Sequence, residues 1–468
     1  MEKLLNEMKS YSKSLNYQEK IKYYSWSCVI GAFLGDSLGS YYEFQRGNST
    51  LYDEEKVFKE MTTTFKTSPG QITDDSEMAM CLGYALMDSS RNYNINRIAY
   101  NYGMWFLSQP FDIGKTTRNA LKCVEETSEL YPNKCITSCI GNNKITIDKY
   151  CFFNNKDCSF FQNKMTRNAS KSSSCSNGFL MRKTPLSIYC MEYVINSKLN
   201  DLKGNHINTE LLKDFVNLNK EDTQLTHSCY KTSEGAIIYS LIITRLIYFN
   251  SYYDEKELST TDKCKNVLEF IQEYCALKIK NEDKMLYLTN DDIIFFQDII
   301  CTCKYGKPCS FNLHKDDFYE KMGFFNHALC LGIHFLKEIS DDRSLDFIGF
   351  MKKTINLGGD TDTNACIVGG IIGSLLGLKS MPDDILKIIT IYNPYTDKNT
   401  KFPRPVIFSP GLSILFVNDA YTRREIRLKN NKKETNDKCY RPSSIATLIS
   451  FLLDNGCCSN NINNYGML

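Results

Sequence analysis

Met78-Ala79-Met80-Cys81-Leu82-Gly83-Tyr84-Ala85-Leu86 sets Met78, Leu82, Ala85 and Leu86 on one helix face. The same period returns in 236–247, through Ile237, Ile238, Leu241, Ile242 and Leu246, and again in 328–336 and 365–376. No alternating run closes on an Asn-Gly or Asp-Gly turn, so nothing signals a hairpin. The pattern predicts an all-α fold, one domain of many helices.

Two of these helical runs are preceded by acidic clusters. Before the first stands Pro69-Gly70-Gln71-Ile72-Thr73-Asp74-Asp75-Ser76-Glu77. Before the last stands Gly358-Gly359-Asp360-Thr361-Asp362-Thr363-Asn364, roughly 285 residues further on. Thr-Asp-Asp ahead of a helix is ordinary cap chemistry, and Asp74 with Glu77 has capping-box spacing. One cap does not need three consecutive oxygen side chains, however, and adjacent carboxylates repel unless a cation lies between them. Paired glycines before Asp360 permit a close backbone approach to a ligand. Together the clusters supply an all-oxygen donor set suited to hard divalent cations.

A third segment, Gly31-Ala32-Phe33-Leu34-Gly35-Asp36-Ser37-Leu38-Gly39, aligns three glycines on one helix face. Such a stripe permits close helix packing, and Asp36 and Glu43 fall on a shared face by spacing.

Bulk composition narrows the classes. The chain has 468 residues and is 42% hydrophobic, enough for a large core with insertions. Lys+Arg 56 against Asp+Glu 54 gives no charge excess toward nucleic acid or membranes. The first residues lack a signal-peptide h-region, and the apolar stretch 367–378 is too short and glycine-rich to span a bilayer. A cytoplasmic monomer with mostly reduced thiols among its 20 cysteines is the expectation. Polar stretches at 126–174, 251–262 and 423–438 read as insertions or loops, and 459–468 as a disordered tail. Cys301, Cys303 and Cys309 lack a fourth ligand at zinc spacing, and Cys135, Cys139, Cys151 and Cys158 are irregularly spaced.

Taken in order, Gly-Asp-Ser-Leu-Gly-x-x-x-Glu from Gly35, the cluster 69–78 and Gly-Gly-Asp-Thr-Asp-Thr from Gly358 resemble the ADP-ribosylglycohydrolase family. The second motif is similar to its dinitrogenase-reductase-activating branch. Three intervening segments match too: Pro110-Phe111-Asp112-Ile113-Gly114-Lys115-Thr116, Asn177-Gly178-Phe179-Leu180-Met181-Arg182 and Thr226-His227. The resemblance covers roughly residues 25–380. It implies a single orthogonal helix bundle of that family's type over 25–400, with a helical extension at 1–24 and a C-terminal extension at 401–468.

The resemblance also implies two Mg²⁺ or Mn²⁺ ions, held by Thr73, Asp74, Asp75, Asp360, Asp362 and Thr363. Glu43, Asp112 and Asp362 are the implied catalytic carboxylates; Asn177, Gly178, Met181 and His227 are the implied substrate contacts. The implied reaction is hydrolysis of the bond joining ADP-ribose to a modified protein side chain or small molecule. A member that had lost catalysis would still bind ADP-ribose, but such members are expected to lose metal ligands, and all of these are present. The four cluster carboxylates alone would also permit a metal-dependent nucleotide phosphohydrolase; the Asn-Gly-x-x-Met-Arg segment argues against it.

Overall fold

The computed structural model describes residues 16–62, 64–87, 93–127, 159–191, 212–280, 288–414 and 417. The fold is all-α, as the periodicity predicts: among the described residues there is no strand, only isolated bridges pairing Arg46 with Gly358 and Ser176 with Phe324. The helices are α1 (Tyr17–Gly39), α2 (Asp74–Leu86), α3 (Ile95–Leu107), α4 (Lys115–Leu121), α5 (Ser159–Ala169), α6 (Thr184–Tyr189), α7 (Lys213–Gln224) and α8 (Tyr230–Tyr252). They continue as α9 (Thr260–Lys280), α10 (Asn290–Tyr305), α11 (Lys315–Glu320), α12 (Phe325–Ser340), α13 (Phe347–Ile355), α14 (Thr361–Leu376) and α15 (Asp383–Ile391).

Three helices form the centre. α1 starts on a capping box between Asn16 and Glu19 and is buried at every residue from Ser25 to Gly39. α14 is buried from Thr361 to Leu375, and α8 from Thr232 to Ile247. Helices apolar all round belong inside a bundle, and the remaining helices wrap these three.

The glycine stripe of α1 packs directly on α14. A Cβ added at Gly31 would lie 2.5 Å from the Gly369 carbonyl oxygen, at Gly35 2.0 Å from that of Ala365, and at Gly39 2.3 Å from that of Thr361. The reciprocal contacts run from Gly369 to Gly31 and from Gly373 to Ser27. Rising numbers on one helix meet falling numbers on the other, so the pair is antiparallel. Its consequence is positional: the C-terminal end of α1 is delivered to the N-terminal end of α14.

Part of the polar stretch 126–174 is helical, since α5 packs Phe161, Met165 and Ala169 inward. Residues 128–158, with Cys135, Cys139, Cys151 and Cys158, lie outside the described residues, as do 1–15 and 418–468, which include the 423–438 stretch and the tail. Further along, Arg404 is buried against Glu77, donating at 2.8 and 2.7 Å, while Trp105 Nε1 donates to the same carboxylate at 2.8 Å. Phe408 and Leu412 enter the same core. No helix among the described residues is long and apolar enough to cross a membrane.

Candidate active site

The site forms where the end of α1 meets the starts of α2 and α14. Asp36, in the last turn of α1, is fully buried and accepts from Thr73 N at 3.1 and 3.2 Å, Thr73 Oγ1 at 2.9 Å and Ser76 N at 3.2 Å. It thereby caps α2 from another helix. This corrects the capping-box expectation: Thr73 is the N-cap residue but makes no side-chain cap bond, Asp74 is already inside the helix, and Glu77 is taken by Arg404 and Trp105. The hydroxyl of Thr73 lies 2.9 Å from both Asp36 Oδ1 and Asp75 Oδ2, and its single proton serves only one of them.

α1 ends at Gly39, so Glu43 sits in the turn beyond it rather than on its face. That turn is clamped to the loop before α14. Phe44 N donates to Gly359 O at 2.7 Å and Gly359 N to Gln45 O at 2.8 Å. Gly358 and Gly359 hold φ of 74° and 76°, and a Cβ at Gly358 would strike Gly47 N at 2.3 Å. Asn356 adds a second tether, accepting from Tyr52 N and donating to Ser49 O. Phe44 itself sits at φ 64°, a strained conformation for a bulky residue, right beside Glu43.

Carboxylate oxygens of Asp36, Asp75 and Asp362 lie within 4.8 Å of one another, as do those of Glu43, Asp112 and Asp362. Asp362 belongs to both groups and joins them. Asp112 arrives on the loop before α4, and that loop is held by Phe111 stacked on Phe402 with ring centroids 5.1 Å apart. Asp74 lies at the less buried side, 8% exposed, and Thr363 beside Asp362 is 7% exposed. Asp360 accepts from Asn177 Nδ2 at 2.9 Å, which ties the Asn-Gly loop to the acidic cluster.

So many carboxylates cannot all ionise at such spacing. Burial first, then its acidic neighbours Asp112, Asp360 and Asp75, pushes Glu43 up to about 10. Burial lifts Asp36 to about 7 and Asp112 to about 6. Asp74, Asp75 and Asp362 are pushed well above the usual carboxylate range by burial first and then by neighbouring acids, led by Asp112 for Asp74, Asp36 for Asp75 and Glu43 for Asp362. The N-terminal ends of α2 and α14 point partial positive charge at the cluster, which offsets only part of this repulsion. Glu43 Oε2 and Asp75 Oδ1 are buried with no hydrogen-bond partner. Orphaned buried carboxylate oxygens beside carboxylate and hydroxyl donors are what hard divalent cations satisfy, so the residues fit such ions.

The other expected contacts lie next to this cluster. Gly178 stands between α4 and His227: a Cβ there would be 3.0 Å from Thr117 Oγ1 and 3.6 Å from His227 Cε1. His227 is locked between Ser176 Oγ at 2.8 Å and Thr226 Oγ1 at 2.9 Å, and burial, with Arg182 and Lys183 nearby, holds it neutral. Met181 is buried, and its carbonyl accepts from the Cys366 thiol. Arg182 is fully buried, bonded to Asp222 O and Thr226 Oγ1 at 3.0 Å and lying over the Tyr102 ring. Lys183 shares Asp222 with it, so both cations brace the floor under the Asn-Gly loop.

Two residues were not marked as site residues by sequence. Asp36 was visible only as a helix-face neighbour of Glu43, and nothing local reveals that it reaches Thr73. Phe402 lies past the matched segments, and only the tertiary fold brings it to Phe111.

Against known proteins, the family model described as ADP-ribosylglycohydrolase matches residues 17–397. An Acanthamoeba polyphaga mimivirus protein whose given name is ADP-ribosyl glycohydrolase is 26% identical over 354 residues, 75% of this chain and 86% of that protein. The Rhodospirillum rubrum ADP-ribosyl-dinitrogen reductase glycohydrolase is 32% identical over 100 residues, 20% of this chain and 33% of its own length. A solved structure titled ADP-ribosylglycohydrolase-related protein complex aligns at TM-score 0.49 and 16% identity, covering 86% of this chain and 99% of that one.

Proposed function

The chain belongs to the ADP-ribosylglycohydrolase family, and on that premise we propose that it hydrolyses the glycosidic bond between ADP-ribose and a modified protein side chain, reversing mono-ADP-ribosylation. The observation that carries the reading is the convergence of α1, α2 and α14 on one buried carboxylate cluster with orphaned oxygens. Thr73, Asp74, Asp75, Asp360, Asp362 and Thr363 would hold two Mg²⁺ or Mn²⁺ ions. Bound there, the ions supply Lewis-acid polarisation of ribose oxygens and of water.

The remaining work falls to the side chains. Glu43 and Asp112 lie together at Asp362; Asp112, lifted to about 6, suits proton transfer near neutral pH, while Glu43, pushed up to about 10, holds a proton there to donate. Carboxylates ionised beside the anomeric carbon would favour the positive charge that develops there as the bond lengthens. Asn177, oriented by Asp360, and Gly178 offer polar contacts to the ADP-ribose, with His227 and Met181 backing that loop.

The test is a panel of ADP-ribosyl-Arg, -Ser and -Glu peptides incubated with Mg²⁺, with Mn²⁺ and with chelator, for the native chain and Asp362→Ala. Metal-dependent release of ADP-ribose from at least one peptide, abolished in Asp362→Ala while helical content is kept, is the expected result. Release unchanged by the substitution or by chelator would overturn the two-metal reading, and no release from any peptide would overturn the hydrolase reading.

A further inference from the structure

A pair of thiols stands at the edge of the Asn-Gly loop. Cys175 immediately precedes Ser176-Asn177-Gly178, and Cys229 follows Thr226-His227 at the start of α8, 54 residues later. Their sulfurs are 3.3 Å apart, in contact but unbonded, and both residues are half-buried, open to small reagents. The two segments are already stitched together. Ser176 Oγ meets His227 Nε2 at 2.8 Å, and Ser228 Oγ lies 2.8 Å from Ser172 O and 3.1 Å from Ala169 O, its one proton serving either carbonyl. The Cys175 carbonyl accepts from Phe325 N at 3.1 Å, so its backbone is fixed too.

We infer that Cys175 and Cys229 are an oxidisable dithiol pair, which a hydroperoxide converts to a disulfide that locks the Ser176–Gly178 loop against the His227 turn. The chemistry has a direction. The thiol of Cys229 is pulled down to about 6 by the Cys175 S–H first, then, against burial, by the Lys231 and Thr232 backbone N–H groups and the Lys231 charge. Cys175 is pushed up by the same bond and by burial, so it keeps its proton. The Cys229 thiolate attacks one peroxide oxygen; the O–O bond breaks and hydroxide leaves, giving a sulfenic acid. The Cys175 sulfur then attacks that sulfur, the S–S bond forms, the S–OH bond breaks, and the departing hydroxide takes the Cys175 proton as water. Two thiols and one peroxide give one disulfide and two waters, and a dithiol reductant reverses the exchange.

The exposed Cys309 makes the contrast. Its sulfur lies 3.3 Å from Asp298 Oδ1, and burial together with that carboxylate pushes its thiol up to about 12, so little thiolate forms there. The pair at the loop therefore offers more thiolate to an oxidant than Cys309 does.

Treating the reduced full-length protein with stoichiometric hydrogen peroxide, followed by alkylation and mapping under non-reducing conditions, tests this without reference to any substrate. A Cys175–Cys229 peptide lighter by two hydrogens, lost on reduction, is expected before any link involving Cys309. Hydrogen exchange at the amides of 176–178 is expected to slow about tenfold in the linked form. In Cys175→Ser, Cys229 is expected to accumulate as a sulfenic acid trapped by dimedone, and the signal to vanish in Cys229→Ser. Absence of the linked peptide, or dimedone trapping no greater in Cys175→Ser than in the native chain, overturns the pair. A linked peptide with unchanged exchange at 176–178 overturns the lock.

Discussion

At the residue scale, Glu43 departs far from ordinary carboxylate chemistry. It sits in a turn whose next residue has φ 64°, one oxygen is orphaned, and burial followed by three acidic neighbours pushes its proton affinity up. Glu43→Gln keeps the shape and removes the titrating group. It is expected to lower kcat by about 10²-fold or more while changing ADP-ribose affinity little, read by steady-state kinetics and calorimetry. Equal losses in both would speak against proton transfer by this residue. Glu77 shows the reverse case. Its spacing reads as half of a capping box with Asp74, yet Arg404 and Trp105 make it a structural anchor. Short motifs tell which residue types cluster; they do not tell which of three neighbouring acids, Asp74, Asp75 or Glu77, a distant arginine will claim.

At the element scale, the antiparallel contact of α1 with α14 sets the register of the site. Gly35→Ala places a methyl 2.0 Å from the Ala365 carbonyl, which must force the helices apart. A loss of about 1–3 kcal/mol or more in urea unfolding is expected, together with weaker Mn²⁺ binding by titration. Undisturbed Mn²⁺ affinity would separate the helix contact from the site. Arg404→Met should cost about 3–5 kcal/mol, because Glu77 would remain buried without its cation, with only the Trp105 N–H left to it; equilibrium melts read this directly. The helices and the glycine stripe were legible in the sequence because periodicity and small-residue spacing are local signals. That α1 packs on α14, and in which direction, was not, since it depends on contacts more than 300 residues apart, such as Thr361 Oγ1 to Gly39 O at a separation of 322.

At the scale of the whole molecule, the acidic centre couples stability to pH and to cations. Asp36 is lifted to about 7 and Asp112 to about 6, against an unfolded value of about 3.9. Between these limits the native chain holds protons that the unfolded chain has released. Stability of the metal-free protein therefore falls as pH rises from about 4 through the Asp112 and Asp36 values, and goes on falling toward about 10, where Glu43 releases its proton. Cations favour the ionised carboxylates and reverse that slope, so Mg²⁺ is expected to raise the melting temperature more at pH 8 than at pH 5. Calorimetry with and without chelator at both values checks this; an equal shift at the two pH values would contradict it.

The same long-range contact has a consequence for the chain as it is made. Synthesis at about 5–20 residues per second would leave roughly 15 to 60 s between the emergence of Gly39 and of Thr361. Throughout that interval α1 has left the ribosome while the helix that covers its glycine face is still untranslated. A nascent chain is thus without its acidic centre until more than 300 residues beyond α1 have been made, and α1 must be shielded by other means in the meantime.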